Sequence, residues 1–150
     1  MRIVLAAALV ALSASSVFAA ETFKYYSGAD AAALVANGKG AEPAVSFLAK
    51  HDDGFLEEIV QRTASGEVEI HDQTSDYIIV LDGAASFTVG GTVAGKKQVS
   101  PGEWRAPSSS GGKEYALAPG ALVIVPAGTP HWMQLPAGGH IRYVTFKKRG

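Results

Sequence analysis

The sequence predicts an all-β fold, a sandwich or barrel preceded by one short helix. From Phe55 onward, short β-branched or aromatic runs are separated by breaks rich in Gly, Pro, Asp and Ser. The runs are too closely spaced for helical crossovers between parallel strands, so the sheets should be mainly antiparallel. We expect strands near residues 55–62, 67–72, 76–82, 85–90, 114–118, 121–125, 131–135 and 140–147.

The composition is typical of one globular domain. The chain has 150 residues, of which 47% are hydrophobic and 18% charged, and its formal charge is -1. Its longest basic run is Lys147-Lys148-Arg149, so we do not expect nucleic acid as a partner. The absence of cysteine excludes disulfides, thiolate metal ligands and a thiol nucleophile. Any metal must therefore be bound by His, Asp, Glu or amide oxygens.

Residues 1–19 have the pattern of a secretory signal peptide. Arg2 supplies the positive charge, residues 3–12 are all apolar, and small residues precede Ala19. An apolar run of this length is short of the roughly 17–25 residues that span a bilayer. We expect cleavage after Ala19, with Ala20 as the alternative. The mature chain should be periplasmic or secreted, without membrane insertion after removal of the signal.

A single helix is expected after the signal peptide. Ser27 can cap a helix running from Asp30 to Asn37, and Gly38 and Gly40 would end it. We interpret residues 20–54 as a helical lead-in and residues 55–150 as the β-barrel. The stretch from Thr92 to Gly112 is rich in Gly, Pro and Ser, which predicts one long irregular connection that could cover a barrel mouth.

Alternation in the segment Glu67-Val-Glu-Ile-His71 divides its side chains between two strand faces. Val68 and Ile70 share one face, whereas Glu67, Glu69 and His71 share the other. Side chains two residues apart are separated by roughly 6.8 Å along a strand, so Glu69 and His71 could converge on one ion. Alternation alone equally permits this polar face to lie in water.

A second cluster favours the inward orientation. Gly120, Pro126, Gly128 and His131 have the spacing of the second cupin motif, with Leu135 where that motif usually has Asn. In this half the sequence resembles the cupin superfamily, and two prolines and a glycine fix the direction of the His131 imidazole.

The first cupin motif is matched in spacing but altered in chemistry. If Gly83 is its last glycine, then Asp76 stands at the Glu position, His71 at the second His and Glu69 at the first His. Thr63 stands where the leading glycine is usual. The resemblance extends over roughly residues 55–147 and implies a single cupin double-stranded β-helix, or jelly-roll barrel, of the small exported type.

The resemblance implies a divalent metal ion bound by Glu69, His71, Asp76 and His131. Two imidazoles with carboxylates would suit Mn, Fe, Ni or Zn. Asp76 is shorter than the usual Glu by roughly 1.5 Å, so it could instead bind through water, orient His71, or cap the preceding turn. A homodimer is also implied, since cupins commonly dimerise.

Several other residues are candidates for lining a small-molecule cavity. Trp104, between Glu103 and Arg105 on the long connection, suits a lid over a polar ligand. Phe87 and Tyr115 could belong to the core or stack on the ligand, and Gln73 and Gln134 could be amide donors or surface residues.

Two classes of function remain open from the sequence. A metal with free coordination positions would support an oxygenase, isomerase or lyase, with an unbound carboxylate as general base. The alternative is a metal-free cupin module that binds a small molecule without catalysis, since one fold hosts many functions.

Overall fold

The computed structural model describes residues 23–36 and 42–150. The predicted signal peptide and the predicted helix stop at Asn37, Gly38 and Gly40 lie outside these residues. In the described part of the chain, no helix is long and apolar enough to cross a membrane. The described residues form α1 (Gly28–Ala36) and the strands β1 (Ala44–Lys50), β2 (Leu56–Arg62), β3 (Val68–His71), β4 (Thr74–Gly83), β5 (Ala85–Val89), β6 (Thr92–Ala94), β7 (Lys97–Ser100), β8 (Glu103–Ala106), β9 (Ser108–Ser110), β10 (Lys113–Leu117), β11 (Leu122–Val125), β12 (His131–Gln134) and β13 (Ile141–Arg149).

The strands form two main antiparallel sheets. One sheet has the order β1-β2-β13-β4-β11, and the other has the order β10-β5-β12-β3-β8-β7. A separate two-stranded ribbon is made by β6 and β9. This arrangement of two sheets with one N-terminal helix is the predicted all-β double-stranded β-helix, so the fold class is confirmed.

The hydrophobic core lies between the two sheets. Strand residues at every second position point inward, as the period of a β-strand requires. The core residues are Val60, Ile78, Val80, Ala85, Phe87, Leu117, Val125, Met133, Ile141 and Tyr143.

The helix α1 covers the outside of the five-stranded sheet. Ser27 caps it as predicted, because the Asp30 amide donates to Ser27 Oγ at 3.2 Å and the Ser27 amide donates to Asp30 Oδ2 at 2.9 Å. Val35 packs there with Ala44 and Ile59 in a second, smaller apolar cluster.

All eight predicted strands are present, but two predictions about the remaining chain were wrong. Residues 92–112 contain four short strands rather than one irregular connection. Residues 20–54, expected as a helical lead-in, contain β1, which pairs with β2 at the edge of a main sheet. Gly and Ser content masked the four strands of residues 92–112, whose stability comes from lateral pairing rather than from local propensity.

Candidate metal centre

Strand pairing brings together three side chains predicted as metal ligands. Strands β3 and β12 are neighbours, and Glu69 is the direct cross-strand partner of His131. His71 follows two residues after Glu69, on the same inward face of β3. The Pro126–Pro130 turn ends where β12 begins, so His131 enters the sheet at its first residue.

Glu69, His71 and His131 form a compact group that could hold a metal ion. One ligand atom from each residue lies within 4.8 Å of the others. The two imidazole ring centres are 5.1 Å apart. Both histidines are buried, with 4% and 5% of their surface exposed. The polar face of β3 therefore points inward, although Val68 and Ile70 on the opposite face are also buried.

Each histidine is oriented by a hydrogen bond at its other ring nitrogen. Nδ1 of His71 is bonded to the carboxylate of Glu103, and Nδ1 of His131 lies 3.0 Å from the carbonyl oxygen of Thr129. Since a carbonyl or carboxylate oxygen only accepts, each Nδ1 must donate. Such partners fix the ring direction and leave Nε2 as the metal-binding atom.

The carboxylate of Glu69 is held ionised by two guanidinium groups. Arg62 Nη2 donates to Glu69 Oε1 at 2.6 Å, and Arg105 Nη2 lies 3.3 Å from Oε2. Burial opposes the charged carboxylate, but Arg105 and Arg62 outweigh burial and lower the pKa of Glu69. Arg62 is itself buried, and its Nε also donates to the Tyr143 hydroxyl.

Asp76 lies beside the same histidines but is paired with a lysine. Its Oδ2 is 3.3 Å from His71 Nε2 and 3.7 Å from His131 Nε2. Lys147 Nζ donates to both of its oxygens, at 3.0 and 2.9 Å. Burial opposes the charge on Asp76, but His71 and the Lys147 ammonium hold its pKa well below the ordinary value. Asp76 is therefore first of all the counterion of Lys147.

The pKa values of the two histidines shift in opposite directions because their surroundings differ. Burial disfavours the imidazolium of His71, but the hydrogen bond to Asp76 outweighs it and raises the pKa. Burial lowers the pKa of His131, and its neighbours do not restore it. Protons should therefore compete with a metal more strongly at His71 than at His131.

The three clustered residues line a cavity of about 690 Å³ between the sheets. This volume falls within the range of ordinary small-molecule sites. Its apolar wall is formed by Val60, Ile78, Phe87, Met133 and Tyr143.

Two polar side chains face one another on a different wall of this cavity. Glu58 and Thr145 are cross-strand partners on β2 and β13, and both are buried. Burial raises the pKa of Glu58, with Lys147 acting in the opposite direction. Among the described residues, Thr145 Oγ1 has no hydrogen-bond partner.

The predicted cavity residues divide into two groups. Phe87, Glu103 and Arg105 line the cavity. Gln73, Trp104, Tyr115 and Gln134 do not line it, which corrects their candidacy.

Local contacts explain why three of these side chains lie elsewhere. Trp104 Nε1 donates to Asp72 at 2.9 Å, so this ring is held outside the cavity rather than forming a lid. Tyr115 is exposed beneath the ammonium of Lys113, and Gln134 accepts a hydrogen bond from Thr88.

Sequence reasoning missed Glu58, Arg62 and Lys147. For Lys147 a signal was present, because Ile141, Tyr143 and Thr145 precede it at alternate positions on the inward face of β13. No local pattern distinguishes Arg62 from any residue that ends a strand, since its partner Glu69 is on β3.

Comparisons with known proteins define the fold. No family model and no curated protein matches this sequence. A Klebsiella pneumoniae protein with a double-stranded β-helix domain has a TM-score of 0.59 at 16% identity, covering 86% of this chain and 92% of that chain. The Cnp3 cupin domain of Schizosaccharomyces pombe has a TM-score of 0.53 at 15% identity, covering 72% and 61%. The DMSP lyase DddQ of Ruegeria pomeroyi DSS-3 has a TM-score of 0.51 at 19% identity, covering 73% and 47%. The protein therefore has the cupin double-stranded β-helix fold.

Proposed function

We propose that this protein binds a divalent metal ion through Glu69, His71 and His131 and holds a small molecule beside it. The observation that carries the proposal is the convergence of these three ligand atoms within 4.8 Å at the wall of a cavity. A carboxylate–histidine cluster with a purely structural role needs no cavity beside it. A small molecule bound at the metal does need one.

The residues present fit a metal of the Mn, Fe, Ni or Zn class. Two imidazoles and one carboxylate are suitable donors, and each imidazole has an oxygen partner at Nδ1. Three protein ligands leave coordination positions open for a small molecule.

We further propose that the bound metal serves catalysis, as in an oxygenase, isomerase or lyase. When bound, the ion would supply a Lewis acid for an oxygen atom of the small molecule. Arg62 and Arg105 hold the Glu69 carboxylate in its ionised form, so it remains a ligand. Glu58, whose carboxylate faces the same cavity, is the candidate for accepting or returning a proton. The similarity in fold to a named lyase is compatible with this class.

The first test is the metal content of the purified, untagged protein. Mass spectrometry should find a transition metal near one equivalent in the wild type and far less in Glu69→Gln and His131→Gln. Glu114→Gln and His140→Gln are matched controls, because both residues are exposed on the surface. Protein that remains metal-free after incubation with Mn²⁺, Fe²⁺, Ni²⁺ and Zn²⁺ would refute the metal function.

One observation favours the metal-free binding module as the second candidate. The carboxylates beside the histidines already have cationic partners, since Glu69 pairs with Arg62 and Asp76 pairs with Lys147. A thermal-shift screen separates the two functions: the binding module predicts stabilisation by a small organic ligand in chelator-treated protein. Stabilisation by divalent ions alone contradicts it.

We also propose that the protein acts in the cell envelope. The support is the signal-peptide pattern of residues 1–19. Intact-mass analysis of the periplasmic fraction should give a chain that begins at Ala20. A full-length chain in the cytoplasmic fraction would contradict export. Analytical ultracentrifugation of the same sample tests the homodimer implied by the cupin resemblance.

A further inference from the structure

We propose that the ammonium group of Lys147 is the resident cation of the metal centre and limits the affinity of this site for divalent metals. Metal binding at His71 requires Lys147 to move away from that imidazole. The inference depends on the proposed ligands Glu69, His71 and His131, and it assigns to Lys147 a role in setting the affinity of the site for divalent metals.

The first support is the position of Lys147 Nζ relative to the metal-binding atom. Nζ lies 3.3 Å from His71 Nε2, which is the ring nitrogen directed away from Glu103. Zinc bound by an imidazole lies about 2.0–2.1 Å from the nitrogen. An ion bound at Nε2 would therefore be within about 5.4 Å of the ammonium if Lys147 did not move. Two cations so close together in a buried site repel strongly.

The second support is the pairing of charges around the histidines. Glu69 has Arg62 and Arg105 as cationic partners, whereas Asp76 has Lys147. Every carboxylate near His71 Nε2 is thus neutralised without a metal. Glu103, the remaining carboxylate in contact with His71, is bonded at Nδ1 and lies 3.7 Å from Arg105.

The third support is that Asp76 is well placed to bind metal once Lys147 is removed. Its Oδ2 lies within 3.3 and 3.7 Å of the two Nε2 atoms. Strand pairing fixes this arrangement, because Lys147 is the cross-strand partner of Asp76. A neutral side chain at position 147 would remove the repulsion and also release Asp76 as a fourth ligand.

The test measures Co²⁺ and Zn²⁺ affinities of the full mature protein by calorimetry and chelator competition. Lys147→Met should bind both ions about tenfold more tightly or better than the wild type. The visible absorption of bound Co²⁺ should change in Lys147→Met, because Asp76 would join the coordination sphere. Lys148→Met is the matched control, since Lys148 is exposed on the same strand and should leave affinity unchanged.

A second pair of variants keeps the test decisive if Lys147→Met does not fold because it leaves Asp76 buried and unpaired. Asp76→Asn/Lys147→Met removes both charges, and it should bind metal more tightly than Asp76→Asn alone. Folded Lys147→Met with wild-type or weaker affinity overturns the inference. If Lys147→Met does not fold, equal affinities in the second pair overturn it.

The outcomes also separate this inference from the proposed function. If the wild type binds metal and Lys147→Met does not bind it more tightly, only the role of Lys147 is rejected. Binding by Lys147→Met but not by the wild type supports that role and rejects the metal function for the native protein. Absence of binding in every variant rejects both.

Discussion

Glu103 and His71 are cross-strand partners on β8 and β3, and the carboxylate of Glu103 accepts the Nδ1 hydrogen of His71. This contact directs Nε2 of His71 toward Glu69 and Asp76. Glu103 is half-buried at the edge of the cavity, whereas His71 is buried. Strand β8, which lies between β3 and the edge strand β7, therefore orients a side chain of the candidate metal centre without supplying a candidate ligand itself.

Removal of this orienting carboxylate should weaken metal binding. Glu103→Ala leaves Nδ1 of His71 without its acceptor, so we expect a 10–100-fold loss of Zn²⁺ affinity by chelator competition, roughly the effect of losing an orienting partner. Glu114→Ala, an exposed change on β10, should leave the affinity intact. A Glu103→Ala protein with wild-type affinity would show that the histidine is fixed by packing alone.

The buried carboxyl group of Glu58 should reduce stability at neutral pH. Its pKa is raised above the ordinary value of 4.5 because burial disfavours the ionised form. Its contribution to stability is therefore fully present below about pH 4.5 and is lost as the pH rises through the raised pKa. Glu58→Gln should change little at pH 4 and should stabilise the protein by about 1 kcal/mol at pH 8.

Chemical denaturation across this pH range checks the prediction for Glu58. Glu114→Gln should change stability by less than about 0.5 kcal/mol at either pH, because Glu114 is exposed. A loss of stability in Glu58→Gln at pH 8 would mean that the Glu58 carboxylate is stabilised by its neighbours rather than penalised by burial.

Removing one partner of the ion pair between Arg62 and Glu69 should strongly destabilise the metal-free protein. Arg62→Met leaves a largely buried carboxylate with fewer partners and should cost about 3 kcal/mol of unfolding free energy. Adding Glu69→Gln should recover a large part of this loss, because both charges are then absent.

A surface ion pair provides the control for Arg62. Arg142 lies 3.2 Å from Asp82, whose side chain is half exposed, so Arg142→Met should cost no more than about 1 kcal/mol. Equal losses for Arg62→Met and Arg142→Met in urea denaturation would contradict the assignment of Arg62 to a buried pair.

Two motif glycines should differ in their tolerance of alanine. Both have positive φ, +79° at Gly83 and +87° at Gly120. A Cβ at Gly83 would lie 2.1 Å from the carbonyl oxygen of His140, whereas a Cβ at Gly120 would meet nothing within 4 Å. Gly120→Ala should cost about 1 kcal/mol from backbone strain, and Gly83→Ala about 3 kcal/mol or more. Thermal unfolding of the two variants measures this difference. Similar unfolding midpoints for both would refute the predicted clash at Gly83.

The sequence predicted where strands occur better than it predicted which strands pair with one another. Short β-branched or aromatic runs between turn-forming residues located all eight expected strands, and the turn from Pro126 to Pro130 placed His131 at the start of β12. Strands β6 to β9 were missed because residues 92–112 are rich in Gly, Pro and Ser. These short strands are stabilised by pairing, β6 with β9 and β7 with β8, and β8 also pairs with β3.

The sequence predicted which candidate ligands cluster, but not which cationic side chains pair with their carboxylates. Motif spacing identified Glu69, His71 and His131, which the fold brings together. It also proposed Asp76 as a ligand, without any indication that Lys147, 71 residues further along the chain, would be its cross-strand partner. Likewise, Trp104 was expected to be a lid, although Asp72 holds its indole outside the cavity.

The sequence by itself therefore determined the residue types available for chemistry and the face of each strand on which they lie. The absence of cysteine and the period of two in β3 are local properties that need no partner strand. Only the tertiary structure decided that β8 lies beside β3 and β13 beside β4, because lateral pairing joins segments far apart in the chain. That pairing places Glu103 at His71 and Lys147 at Asp76, and so decides which charged side chains pair with one another at the candidate metal centre.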